Sequence, residues 1–120
     1  MGVTNYRDLK VWQLSMELAC QIYKVTETFP KHELYGLTSQ IRRSAVSVPS
    51  NIAEGCGRSQ GDFGRFVQIA LGSASELEYQ LLLARDLEFL QAKQFESLAE
   101  RTIEVKRMLA SLLSKLTADS

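Results

Sequence analysis

The chain has 120 residues, 45% of them hydrophobic and 23% charged, with 14 basic residues balanced by 14 acidic ones. That length suits one domain with its own core and no need of disulfide or metal staples, and the apolar share excludes wholesale disorder. A net charge of +0 argues against a generic polyanion binder, whose affinity rests on a basic excess.

The charge is uneven along the chain. Four arginines, Arg42, Arg43, Arg58 and Arg65, stand against Glu54 and Asp62, whereas the stretch from Glu76 to Glu104 is acidic. Cys20 and Cys56 match no metal-ligand spacing and are expected as buried thiols in a reducing compartment. Neither an apolar leader core nor a run of about 18 apolar residues is present. The expectation is a cytoplasmic protein without a membrane partner.

The first helix is expected over about Asp8 to Thr28, with Leu9, Trp12, Met16, Ala19 and Tyr23 recurring at steps of three and four as its inward face. Pro30 ends it. The second helix, Leu34 to Arg58, carries the stripe Leu37, Ile41, Ala45, Val48 and Ile52. Pro49 falls inside this stretch, at a cost of about 3 kcal/mol. Either one kinked helix or two helices would follow; the stripe keeps its phase across Pro49, which favours the kink. The Gly55–Gly61 segment is the clearest break. A third helix follows from Asp62 to Phe89, with Phe63, Phe66, Ala70, Ala74, Leu77, Leu81 and Ala84 inward. A fourth, Ala92 to Leu116, turns Phe95, Leu98, Thr102, Val105, Leu109, Leu112 and Leu116 inward. No strand pattern competes. Short connections make neighbours antiparallel, so the expected fold is all-α: a single-domain, up-down four-helix bundle with the second helix kinked at Pro49.

The first helix carries a second apolar seam, Val11, Leu14, Leu18, Ile22 and Val25, on its other side. Left in water this seam would be a contiguous patch of a kind monomers seldom expose. It is therefore the expected oligomer interface, the alternative being an imperfect bundle with shifted phases. The third helix has a weaker second seam, Ile69, Gly72, Tyr79 and Leu83, interrupted by Glu76.

Candidate chemistry is sparse. His32 is the only histidine and lies in an expected turn, so neither a di-iron nor an HExxH zinc site is available. No metal, cofactor or catalytic residue is expected. Gly55-x-Gly57 lacks both the spacing and the preceding strand of a dinucleotide fingerprint. In the segment Ser47–Gly55, which includes Pro49 and Gly55, helical spacing places Ser47, Ser50, Asn51 and Glu54 on one polar arc with Arg43 and Arg58. One reading makes the arc a binding surface; the favoured one has it bonding local carbonyls and a neighbouring helix. Gly72 should cost about 1 kcal/mol against alanine in mid-helix, which close helix approach, within the bundle or between subunits, would offset.

The segments Tyr6–Trp12, Gln40–Ala45, Val48–Gly55 and Gly72–Glu78 resemble the 23S rRNA intervening-sequence protein family over roughly residues 5–90. The resemblance implies a four-helix bundle assembling as a homopentamer. It also relates the chain to accessory proteins of diversity-generating retroelements, in which a basic ring contacts nucleic acid. The resulting expectation is a non-enzymatic homopentamer that binds RNA or DNA through Arg42, Arg43, Arg58 and Arg65. The rivals are a protein-interaction scaffold without nucleic-acid binding and a small enzyme using Glu54 and Arg58 in an inter-subunit cleft.

Overall fold

The computed structural model describes residues 5–118. Four helices, α1 (Lys10–Thr26), α2 (Leu37–Gly55), α3 (Gln60–Asp86) and α4 (Ala92–Ala118), pack in chain order, and α4 closes back on α1. The result is a four-helix bundle of 45 × 22 × 20 Å. No strand occurs among the described residues.

Local chemistry sets the helix ends. Tyr6–Asp8 forms a 3-10 turn capped by Asn5, whose Oδ1 accepts from the Arg7 N–H at 3.0 Å, so α1 starts later than the apolar period suggests. Lys31–Glu33 is a second 3-10 turn and delays α2 in the same way. The Ser59 Oγ accepts from the Asp62 N–H at 3.3 Å and starts α3 at Gln60. Ahead of α4, the Gln91 N–H donates to Gln94 Oε1 at 3.1 Å, one half of a capping box.

α3 ends in a Schellman turn. The Phe89 N–H donates to the Ala84 carbonyl and the Glu88 N–H to that of Arg85, both at 2.9 Å. The turn places Glu88 at φ 64, the left-handed region that favours glycine. It also brings the Phe89 ring to 5.4 Å from Phe29, closing that end of the bundle.

The inward stripes expected for α2, α3 and α4 form the core, except that Phe66 is half-buried and Val67 beside it is buried instead. Leu37, Ile41, Ala45, Val48 and Ile52 of α2 are all buried, as are Ala70, Ala74, Leu77 and Leu81 of α3 and Leu98, Thr102, Val105 and Leu109 of α4. α2 runs unbroken through Pro49, so the two-helix alternative does not occur.

α1 is phased differently from expectation. Val11, Leu18 and Ile22, expected at an oligomer interface, are 5%, 2% and 0% exposed inside the subunit's own core. Leu14 and Val25 are half-buried against that core. Of the seam expected inside, Ala19 is buried and Trp12 half-buried, but Met16 and Tyr23 are each 45% exposed.

The physical reason lies in two hydroxyls. The true inward stripe is Val11, Ser15, Leu18, Ile22 and Thr26, at steps of four and three. Its polar members look outward-facing in sequence, yet Ser15 Oγ donates to the Trp12 carbonyl at 2.8 Å and Thr26 Oγ1 to the Ile22 carbonyl at 2.7 Å. A buried hydroxyl that is hydrogen-bonded to its own helix loses little by leaving water.

Two outcomes are expected from this packing. Glu88→Gly removes a left-handed penalty and should raise unfolding stability by about 1 kcal/mol in urea. Ile22→Ala empties a core site and should cost about 2–5 kcal/mol in the same measurement.

Candidate functional site

The polar arc of α2 works mainly within the subunit. Asn51 Nδ2 donates to the Ser47 carbonyl at 2.8 Å and to Ser47 Oγ at 3.0 Å, and Ser47 Oγ shares a 2.8 Å hydrogen bond with Ser73 of α3. Asn51 thus holds the Ser47 hydroxyl toward α3. Gly55, at the end of the helix, lets α3 come close: a Cβ there would sit 2.6 Å from the Cβ of Phe66. Ser50 remains exposed. Arg58 Nη2 meets Glu54 Oε1 at 2.8 Å, and its Nε donates to the Glu54 carbonyl at 3.0 Å. Glu54 is therefore held in an exposed i,i+4 pair, which counts against the small-enzyme reading.

The four arginines do not form one patch. Arg42 is held by Thr26 Oγ1 at 2.8 Å and by the Tyr23 carbonyl at 3.4 Å, with its guanidinium 4.8 Å from the Tyr23 ring centroid. It ties α2 to α1. Arg43 is exposed on the α3 side of α2. Arg58 and Arg65 both lie on the Phe66 ring, at 5.0 and 4.7 Å from its centroid. By helix rise this second pair is about 20 Å along the bundle from the first.

The outer face of α1 and α2 supplies an apolar feature that the sequence assigned to the wrong seam. Trp12, Met16, Tyr23, Val46, Pro49 and Ala53 line a groove of ≈ 580 Å³ between the two helices. It continues past Tyr23 and Val46 into a second hollow of ≈ 590 Å³ bordered by Leu34 and Tyr35. The T-shaped contact of Tyr6 with Trp12, 5.0 Å between centroids, closes the far end. Cys20 lies in this groove and is exposed rather than buried; Cys56 is half-buried, and burial pushes its thiol pKa up. The apolar spacing of Trp12, Met16 and Tyr23 could have found the groove, had the hydroxyl-bearing inward stripe been recognised.

A second exposed apolar row runs along α3 through Ile69, Tyr79, Leu83 and Leu87. Gly72 lies within it, exposed, with no atom inside 4 Å of where its Cβ would be. Nothing within the subunit therefore offsets this glycine's helix cost. Among the described residues, no cluster of three His, Cys, Asp or Glu side chains could hold a metal ion, and no helix is long and apolar enough to cross a membrane.

Comparison with known proteins places this architecture. A crystal structure from Bacteroides thetaiotaomicron, described as a protein of unknown function from the S23 ribosomal protein family, superposes with a TM-score of 0.80 at 30% sequence identity. The match covers 87% of this chain and 95% of that one. No curated protein matches by sequence. The model of the 23S rRNA-intervening sequence protein family matches residues 7–111, nearly the whole bundle, and the chain belongs to that family.

Proposed function

We propose that this chain is a non-enzymatic, cytoplasmic protein that works as a homo-oligomer, the α1–α2 groove of one copy receiving the α3 row of the next. The observation that carries the reading is the exposed apolar groove around Met16 and Tyr23. Monomers rarely leave so continuous a patch in water. Gly72 supports it, since a glycine tolerated on an open helix face is explained by a neighbour's close approach.

The two apolar faces are unlike and lie on adjacent sides of the bundle, with Tyr79 bordering the α2–α3 groove. A contact between unlike faces repeats by rotation, and it closes into a ring when the faces are suitably angled. Adjacent sides of a square bundle point about 90° apart and a five-membered ring needs about 108°, so small rings of four or five copies fit best. The family likeness favours five. A bend at Pro49 belongs to the same proposal: its pyrrolidine lies on the groove wall, and a proline there displaces the Ala45 carbonyl.

RNA or DNA binding is the second reading, favoured by the placement of Arg58 and Arg65 about one aromatic ring. Arg43 is the remaining exposed candidate, whereas Arg42 is occupied in holding α1. One arginine cluster per subunit is weak alone in a chain of net charge +0; repeated around a ring it becomes multivalent.

In size exclusion with light scattering, the chain should run well above 13.5 kDa, and Met16→Asp should return it to the monomer mass. A wild-type mass of one subunit overturns the assembly. Gly72→Ala should raise the stability of the Met16→Asp monomer by up to about 1 kcal/mol while weakening wild-type assembly; a gain in both places Gly72 outside the contact. Alkylation of Cys20 should be fast in the Met16→Asp monomer and slow in the assembly, with Cys56 slow in both. For nucleic acid, Arg65→Ala should flatten the salt dependence of RNA binding by about one unit of slope for each phosphate the arginine neutralises; binding that ignores salt removes the arginine mechanism.

A further inference from the structure

The side of the bundle between α2 and α3 carries a second hollow, unlike the apolar one. It encloses ≈ 470 Å³ and is lined by Arg43 and Ser44 from α2 and by Glu76, Tyr79 and Gln80 from α3. Gln80 is only 3% exposed, and its Oε1 has no hydrogen-bond partner among the described residues. An unpaired buried carbonyl costs about 1–3 kcal/mol, and natural structures seldom leave one without a reason.

The hollow also holds one charge of each sign. Arg43 and Glu76 both line it and are exposed, and neither forms an ion pair with a described residue. The Ser47–Ser73 hydrogen bond joins the two walls and fixes their spacing.

We propose that this groove binds a free α-amino acid, its carboxylate on Arg43, its ammonium on Glu76 and a polar hydrogen on Gln80 Oε1. The sign pattern selects the class. Glu76 would repel a simple anion such as phosphate, and Arg43 would repel a simple cation. A neutral molecule would leave both charges unused. A zwitterion matches both, and charge-assisted contacts are the strong ones. The volume exceeds what the backbone atoms of an amino acid fill, which leaves room for a side chain beside the Tyr79 ring. The hollow borders both proposed contact surfaces, since Tyr79 belongs to the α3 row and Arg43 and Ser47 also line the hollow beside Leu34 and Tyr35. The Met16→Asp monomer should therefore bind at least as well as the assembly.

The test uses the full-length chain and the common L-amino acids, one at a time at millimolar concentration, with Tm as the readout and calorimetry on any that respond. At least one should raise Tm, because a ligand that binds only the folded state stabilises it. Its N-acetyl and carboxamide derivatives, which each lack one charge, should fail to do so. Arg43→Ala and Glu76→Gln alter exposed side chains and should leave the ligand-free Tm near wild type while weakening binding about tenfold or more. Gln80→Met, of similar length, should weaken it while keeping or raising the ligand-free Tm.

No response to any amino acid overturns the proposal. So does a response of full size in Arg43→Ala or Glu76→Gln, or one shared equally by the acetylated form. If amino acids fail and Arg43→Ala lowers the mass in light scattering, the groove belongs to a neighbouring copy instead, which also overturns it.

Discussion

A four-helix bundle has one interior, and each helix can turn only one stripe toward it. In this chain α1 has two apolar stripes, so burying one leaves the other outside. The interior takes Val11, Leu18 and Ile22, because that stripe can be continued by Ser15 and Thr26 at no large polar cost. Thr26 then does more than fill space. Its hydroxyl accepts from Arg42 Nε at 2.8 Å, and Arg42 in turn covers Tyr23 at the edge of the exposed groove. Choosing the inner stripe therefore also shapes the outer one.

The α2–α3 side is organised by small and polar residues instead. Gly55 allows Phe66 to approach, and the Ser47–Ser73 bond fixes the spacing further along. Asn51 orients Ser47 while bonding the carbonyl of the same residue. The carbonyl that Pro49 leaves without its helical N–H is that of Ala45, so the Asn51 bond to Ser47 orients the hydroxyl rather than replacing a lost backbone bond. The other side of α3 is pinned to α4 by Lys106 and Glu78 at 2.7 Å. α3 is thereby tied to both neighbours, and its outer row of Ile69, Tyr79 and Leu83 stays exposed.

The fold sets the four arginines in different surroundings. Arg42 is structural, and Arg58 and Arg65 share one aromatic ring. Arg43 faces the polar hollow. Treating these four as one basic patch follows naturally from their closeness in sequence, but Arg42 and Arg43 lie in the first half of α2, whereas Arg58 follows its end and Arg65 is in α3. A chain with equal numbers of acids and bases can still concentrate charge in this way, because helix geometry rather than composition sets which charges meet.

The apolar period by itself determined the all-helical class, the four elements and the inward stripes of α2 and α4 and, with Phe66 as the exception, of α3, although α3 also carries an exposed apolar row. It also revealed that α1 is apolar on two sides. Which side faces inward was decided only by tertiary structure. The period scores a serine or threonine as polar, whereas a folded helix can satisfy that hydroxyl on its own carbonyls and bury it. The polar hollow was hidden for a related reason: Arg43 lies far in sequence from Glu76 and Gln80, and only the packing of α2 against α3 brings them to one place.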